Sequence, residues 1–323
     1  MTQTRLTTYT PELLPALVAF LNKVLSGHRH WVPITARDFT ERVQDQAAFD
    51  PRGLILALAD GVVVGGAHSI KPVPLQPIYQ GIEPQHHIAW LAVTPEHRGH
   101  GLGDQLLRAA EDYLYYCPTY FAGQNVPCYG TLESLWVPWY GSTERMGISA
   151  SHDKDLIAWL SARNYQVANP GDVSMLASLQ GRGSPQDPGL ARCVLSLSAI
   201  NEQSPWTGEE PSYHLRRWGH NSGRPYQGLV VADGDRSVGS VVWYPLPVAG
   251  QSTAALAWLG LERCYRGLRF GSYLLDCALA EMAKRGYRDV EVHVHTKSSP
   301  EAYGMFRNRG FNVIDYWVNL VKT

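Results

Sequence analysis

Several things are scarce in this chain of 323 residues, and each absence removes a class of protein. No uninterrupted apolar run reaches the length of a membrane-spanning helix, and the opening Met1-Thr2-Gln3-Thr4-Arg5 has no apolar signal region. Charge of neither sign is in excess: 28 basic residues face 29 acidic ones, so no bulk field draws the chain to nucleic acid or to an anionic membrane. Cysteine is sparse. Cys117, Cys128, Cys193, Cys264 and Cys277 are odd in number and have no C-x-x-C spacing, which is the usage of reduced thiols in a cytoplasmic protein. Neither G-x-S-x-G nor H-E-x-x-H occurs, which leaves hydrolase and zinc-protease readings without a motif. Ser151-His152-Asp153-Lys154 spells S-x-x-K but reads as a helix cap.

What is present is one organising stretch, Trp90 to Leu107. An apolar run from His87 to Val93 stops at Pro95, and an amphipathic helix begins near Leu102. The loop between them has Gly99, Gly101 and Gly103, which permit backbone N–H groups to converge at a free, partly positive helix N-terminus. Arg98 adds a cation suited to phosphate. A Walker loop would end in Gly-Lys-Ser/Thr, but here the chain continues Asp104-Gln105; a dinucleotide fingerprint started at Gly101 ends on Leu106.

The stretch then recurs. Ala257-Trp258-Leu259 follows Ala89-Trp90-Leu91 by 168 residues, and Arg266-Gly267, Gly271 and Leu274-Leu275 repeat Arg98-Gly99, Gly103 and Leu106-Leu107 at the same offset. Two copies of one domain are the simplest source of such a register. The length allows it: 1–180 and 190–323 are each large enough for a core, with the glycine- and proline-rich 181–189 as linker. Around the loops the pattern predicts a strand over 5–9, helices over 13–25 and 36–48, and a hairpin over 54–59 and 62–68 turned by Asp60-Gly61. It further predicts a fifth strand over 131–137, a helix over 154–162 capped by Ser151, and a strand over 173–179. In the second half it predicts strands over 191–198, 228–232, 237–244, 255–261 and 289–295, and helices over 212–218 and 272–285. The fold class is therefore α/β with mixed sheets, in tandem.

Arg98-x-x-Gly101-x-Gly103, preceded by a strand and Val93-Thr94-Pro95, resembles the coenzyme A pyrophosphate loop of the GNAT superfamily of acetyltransferases. Ser299 to Phe311 resembles the last motif of that superfamily, a helix before a Gly-Phe turn. The resemblance covers most of 50–179 and 227–323. It implies acetyl-CoA as donor and an amine, on a small molecule, as acceptor. It also implies that coenzyme is held by Leu91, Ala92, Val93, Arg98, Gly99, His100, Gly101, Leu102 and Gly103 in the first half. In the second half Leu259, Gly260, Leu261, Arg266, Gly267, Leu268, Arg269, Phe270 and Gly271 would do the same. Arg269 replaces the glycine equivalent to Gly101, which puts close backbone approach there in question.

Acyl transfer needs a proton acceptor for the amine and an acid for the thiolate. Glu133 and His87 in the first half compete as base with Glu291 and His293 in the second; His295 shares their strand face. Many members of the family carry a tyrosine four residues before the terminal Gly-Phe turn, but Leu160 and Phe306 stand there, leaving Tyr140 and Tyr303 as candidate acids. His28 and His30 have a spacing that could bind metal, but with no third ligand at metal spacing no metal is expected. Residues 117–147, rich in Tyr and Trp, read equally as a lid or as a docking face. Catalysis in the second half with a structural coenzyme site in the first, and a non-catalytic coenzyme-binding scaffold, are the alternatives to an enzyme working through the first half.

Overall fold

The computed structural model describes residues 4–28, 31, 33–72, 85–122, 126, 128, 129, 147–183, 185, 195–200, 227–246 and 252–323. These fall into two compact units. Unit 1 comprises residues 1–140, 144–170 and 317–323, and unit 2 comprises 141–143 and 171–316. The division expected at 181–189 differs in place: residues 171–180 belong with unit 2 and the last seven residues of the chain with unit 1.

Unit 1 opens with β1 (Arg5–Thr8), α1 (Leu14–Val24) and α2 (Ala36–Phe39). Thr35 and Asp38 form a reciprocal capping box at the start of α2. The helix expected to reach residue 48 instead passes into a π turn, Thr40–Gln44, closed by Asp45 N–H donating to the Thr40 carbonyl at 3.0 Å. The Gln44 side chain leaves the helix to donate to the Tyr9 hydroxyl at 2.8 Å, and that tertiary bond ends the helical run. β2 (Leu54–Ala59) and β3 (Val62–Ile70) form the expected hairpin. Asp60 and Gly61 turn it at φ 49° and 79°, the paired positive values of a tight hairpin turn. β4 (His86–Val93), α3 (Leu102–Tyr113) and β5 (Thr119–Phe121) follow. Among the described residues the strand parallel to β4 is Thr119–Phe121; the segment 131–137, expected as the fifth strand, lies outside the described residues. Pro118 stands immediately before β5, a position at which proline is tolerated.

After β6 (Ile148–Ser149) comes α4 (Lys154–Ser161), whose N-cap is Asp153, not Ser151. Ser151 instead lies with its Oγ 3.3 Å from that of Ser149. The sheet order of unit 1 is β1-β2-β3-β4-β5 and then the end of β13 (Asn312–Lys322). Leu320 pairs with Phe121 and Trp317 with Ser149, so the chain's last residues complete this sheet. Lys322 Nζ and the Tyr165 hydroxyl both bond Glu111 Oε1, at 2.8 and 2.9 Å. One face of the sheet packs α1 and α2 through Leu17, Phe20, Leu21 and Phe39; the other packs α3 and α4 through Leu106, Leu107, Ala110 and Leu160.

Unit 2 is assembled from β7 (Gln166–Ser178), β8 (Leu195–Ile200), β9 (Gln227–Asp233), β10 (Arg236–Pro245), β11 (Thr253–Leu261) and β12 (Asp289–His295). Its sheet runs β7-β12-β11-β10-β9-β8, with only β11 and β12 parallel. α5 (Phe270–Lys284) buries Leu274, Leu275, Ala278, Leu279 and Met282 against it, and α6 (Pro300–Arg307) adds Phe306. The helix expected at 212–218 lies outside the described residues. Cys117, Cys128, Cys264 and Cys277 are free thiols. No helix among the described residues is long and apolar enough to cross a membrane.

Candidate functional site

The repeat seen in the sequence is a repeat in backbone geometry. In unit 1 the β4–β5 ladder runs from His86↔Thr119 to Ile88↔Phe121, and in unit 2 the β11–β12 ladder runs from Thr253↔Asp289 to Leu256↔Val292. The register against the preceding strand shifts at the next residue in both: Ala89 and Ala257, 168 apart, are each skipped in the ladder. A bulge bends a strand and raises its twist. It coincides with a fork in each sheet, the point at which the β4–β5 and β11–β12 ladders end among the described residues. Beyond the fork, residues 89–93 and 257–261 have no register partner on β5 or β12 among the described residues. In unit 2 the change is abrupt, because 253–256 are buried and 257–261 are all half-exposed.

Both forks lead into the same loop. Short 3-10 turns, Pro95–His97 and Arg263–Tyr265, bring the chain to Arg98 and Arg266. Each arginine donates from Nε to the carbonyl that ends the strand, Val93 or Leu261, at 2.9 Å. The arginines thus strap the loop to the strand while the guanidinium stays at the surface, a role the sequence reading did not foresee. Gly99 and Gly267 have φ of 75° and 81°. Gly101 has φ 79°, and a Cβ on Gly99, Gly101 or Gly267 would meet no atom within 4 Å. These backbones face open space at a helix N-terminus, the geometry an anionic phosphate needs. His100 and Leu268 are exposed in the two loops.

Leu102 and Phe270, by contrast, are core side chains at the first positions of α3 and α5 and offer a ligand only their backbone. Gly103 serves packing, since a Cβ there would touch the Trp159 ring at 3.3 Å; Gly271 likewise faces Leu261 at 3.2 Å.

Arg269 takes the conformation of Gly101, with φ 67° at the N-cap of α5. The backbone of the second loop is therefore retained, at the cost of a left-handed non-glycine residue. Arg269→Gly is expected to stabilise unit 2 by roughly 0.5–1 kcal/mol, read as a higher denaturant midpoint; a lower midpoint would show that the guanidinium outweighs the strain. The loops differ in charge. Over 94–104, Glu96 and Asp104 outnumber Arg98, whereas over 262–272, Arg263, Arg266 and Arg269 outnumber Glu262. Asp104, in the first turn of α3, is held by Arg163 at 2.6 Å.

The candidate bases separate at the forks. His87 is buried in β4 beside Tyr120, one residue before the fork of unit 1. Glu133 and Tyr140 lie outside the described residues. In unit 2, Glu291 lies before the fork and His293 is the first residue of β12 beyond it. Their side chains are both 2% exposed, with His293 Nε2 at 3.4 Å from Glu291 Oε1. His295, further along, has its Nδ1 at 3.3 Å from Asp172. Tyr303 is half-buried on α6. The positions that resemblance would give to an acid are core: Leu160 is fully buried, and Phe306 packs edge-on against Phe311 with centroids 5.1 Å apart.

A buried polar cluster in unit 1 went unnoticed in the sequence. His68 and Trp90, register partners on β3 and β4, both reach the hydroxyl of Tyr129. His68 Nδ1 lies at 2.6 Å from it and Trp90 Nε1–H donates to it at 3.1 Å. Burial holds His68 neutral, its pKa lowered to about 3, and pushes the neighbouring Cys128 thiol up to about 12. No sequence signal marks such a cluster, because its members are 61 and 39 residues apart.

Solved structures are similar in fold. A GCN5-related glucosamine N-acetyltransferase region of a fungal multi-domain GH3 β-N-acetylglucosaminidase matches at TM-score 0.66 and 13% identity, over 99% of this chain but 38% of that one. A tandem GNAT protein from the clavulanic acid biosynthesis pathway matches at TM-score 0.66 and 14% identity, over 99% and 98% of the two chains. A GCN5-related N-acetyltransferase from Sphaerobacter thermophilus matches at TM-score 0.57 and 16% identity, over 99% and 95%. Identities this low carry the fold alone. Curated proteins give no match. The profile of the acetyltransferase (GNAT) family matches residues 25–115 and 195–311, one segment in each half and together more than half of the chain. With an arginine-strapped glycine loop in each half, this chain belongs to the GNAT acetyltransferase family as a tandem of two such domains.

Proposed function

We infer that this chain moves an acetyl group from acetyl-CoA to an amine on a small molecule, and that the second half carries the chemistry. The observation that supports this most is the position of His293 at the fork between β11 and β12, with a buried carboxylate beside it. An ammonium is unreactive toward a thioester until its proton is removed, and an imidazole oriented by a carboxylate can accept that proton. Gly267 and the N-terminus of α5 would hold the pyrophosphate, with Arg266, Arg269 and Arg263 adding charge. A backbone N–H of β11 beyond the fork would face the thioester oxygen and stabilise the oxyanion. Tyr303 is the candidate acid for the thiolate.

The first half keeps the glycine loop but brings no titratable side chain to the matching place: Ala122 follows Phe121 there. We assign it a second, structural coenzyme site. Catalysis in the first half is the competing reading, favoured by Gly101 with its open surroundings where the second loop has Arg269.

Coenzyme A is expected to raise the melting temperature, because a ligand of the folded state alone adds about 2.7 kcal/mol at 100 times its Kd. Gly267→Trp should remove turnover and one of two bound coenzymes in calorimetry, while Gly101→Trp removes the other and spares turnover. The reverse pattern transfers catalysis to the first half. Absence of any shift at millimolar coenzyme A would remove acyl-CoA chemistry as the working function.

A further inference from the structure

The sequence offers His28 and His30 without a third metal ligand at metal spacing; the fold brings His152 and Asp153 to His28. His28, just after α1, points its Nε2 at Asp153, 3.2 Å from Oδ2 and 3.4 Å from Oδ1. His152 Nδ1 lies 3.2 Å from the same carboxylate. The two imidazoles lie against each other, tilted by 34° with centroids 3.6 Å apart. One donor atom from each of the three residues lies within 4.8 Å of the others.

Three features argue that this is a built site and not a chance surface grouping. The His28 side chain is 6% exposed and Asp153 is 23% exposed, so the set is sunk into the protein with only His152 open at 45%. Asp153 stands at the N-cap of α4, where a carboxylate ordinarily accepts from the next turn's N–H groups, yet its side chain caps nothing and is given to the histidines. The turn that presents it is fixed by a buried serine: Ser149 Oγ accepts from His152 N–H at 3.0 Å, and Asp153 N–H donates to the Ser149 carbonyl at 2.9 Å.

The geometry points to a divalent transition-metal site of the zinc class made by His28, His152 and Asp153. Two neutral imidazoles and one carboxylate are the donor set zinc accepts, with a fourth position left for water. Bonds of about 2.0–2.2 Å at tetrahedral angles place donor atoms roughly 3.3 Å apart, which the 3.2 Å histidine–carboxylate separations already approach. The metal would join the end of α1 to the start of α4, and the two sequence neighbourhoods explain why spacing alone hid it.

Titration of the metal-stripped full chain with Co²⁺ and then Zn²⁺ tests this. One Co²⁺ per chain should bind with the visible d–d bands of a four-coordinate site, and Zn²⁺ should displace it. Zinc should also raise the melting temperature of the wild type. His152→Ala and Asp153→Asn should each weaken zinc binding by at least about 100-fold, while Asp155→Asn, a surface charge two residues away, should leave it within about 3-fold. His152 is partly exposed, so its removal opens no cavity, and the variants' melting without metal checks that they fold. No stoichiometric binding tighter than about 10 µM by the wild type, or unchanged affinity in Asp153→Asn, would mean that the three residues form only a hydrogen-bonded cluster.

Discussion

His293→Gln is expected to lower kcat by about 10²–10⁴-fold while leaving the KM for acetyl-CoA within a few-fold, because a general base acts on the amine and not on the coenzyme. Glutamine keeps hydrogen bonding at the fork but cannot take the proton. The rate should recover in part as pH rises, since a larger share of the acceptor amine is then already neutral. Glu291→Gln should cost less, roughly 10-fold, because it removes the carboxylate that orients the imidazole and stabilises its charge, leaving the base in place. If His293→Gln kept full turnover while Gly101→Trp abolished it, the chemistry would belong to the first half. If both were silent in an active enzyme, the base would be another of the candidates, such as His87 or Glu133, or water. The measurement is a steady-state split of kcat and KM across pH.

The recurrence at an offset of 168 made the duplication legible, and the glycines at 99, 101 and 267 made the loops legible, because both are properties of neighbours along the chain. The forks themselves are signalled only faintly, by Ala89 and Ala257: a small residue is easily accommodated where the ladder skips a position. Other features depend on partners far apart in sequence. Arg98 and Arg266 read as phosphate cations, but their Nε atoms strap the loop to its strand. Gly103 reads as a phosphate glycine, but it makes room for Trp159. The strand that pairs with β4 is three residues after a proline, where length and composition give almost no signal. The last strand is the extreme case: residues 317–323 complete a sheet begun at the other end of the chain.

Acidification is expected to destabilise unit 1 through His68, and the effect should be large. Its imidazole is fully buried and its pKa falls from an ordinary 6.5 to about 3, because burial penalises the charged form and the Asp50 carboxylate only partly offsets this. The unfolded chain therefore takes up a proton near pH 6.5 that the folded chain refuses until about pH 3. Above pH 6.5 the group has no effect; between those values stability drops by about 1.4 kcal/mol per pH unit as pH falls, and below pH 3 the loss is complete. From pH 7 to pH 5 the contribution is about 2 kcal/mol, on the order of a tenth to a third of the stability of an ordinary domain. His68→Gln isolates it. The amide can still meet the Tyr129 hydroxyl, so its partner keeps a neighbour, but it cannot titrate. The variant will be less stable than the wild type at pH 7, since the imidazole also packs against Phe49 and Trp90. Between pH 7 and 5, however, its denaturant-unfolding free energy should fall by about 2 kcal/mol less than that of the wild type. The comparison cancels the carboxylates and the other histidines, which titrate alike in both proteins. An identical pH dependence in the two would show that His68 is protonated in the folded state, and that the Tyr129 cluster admits a charge which its burial was taken to exclude.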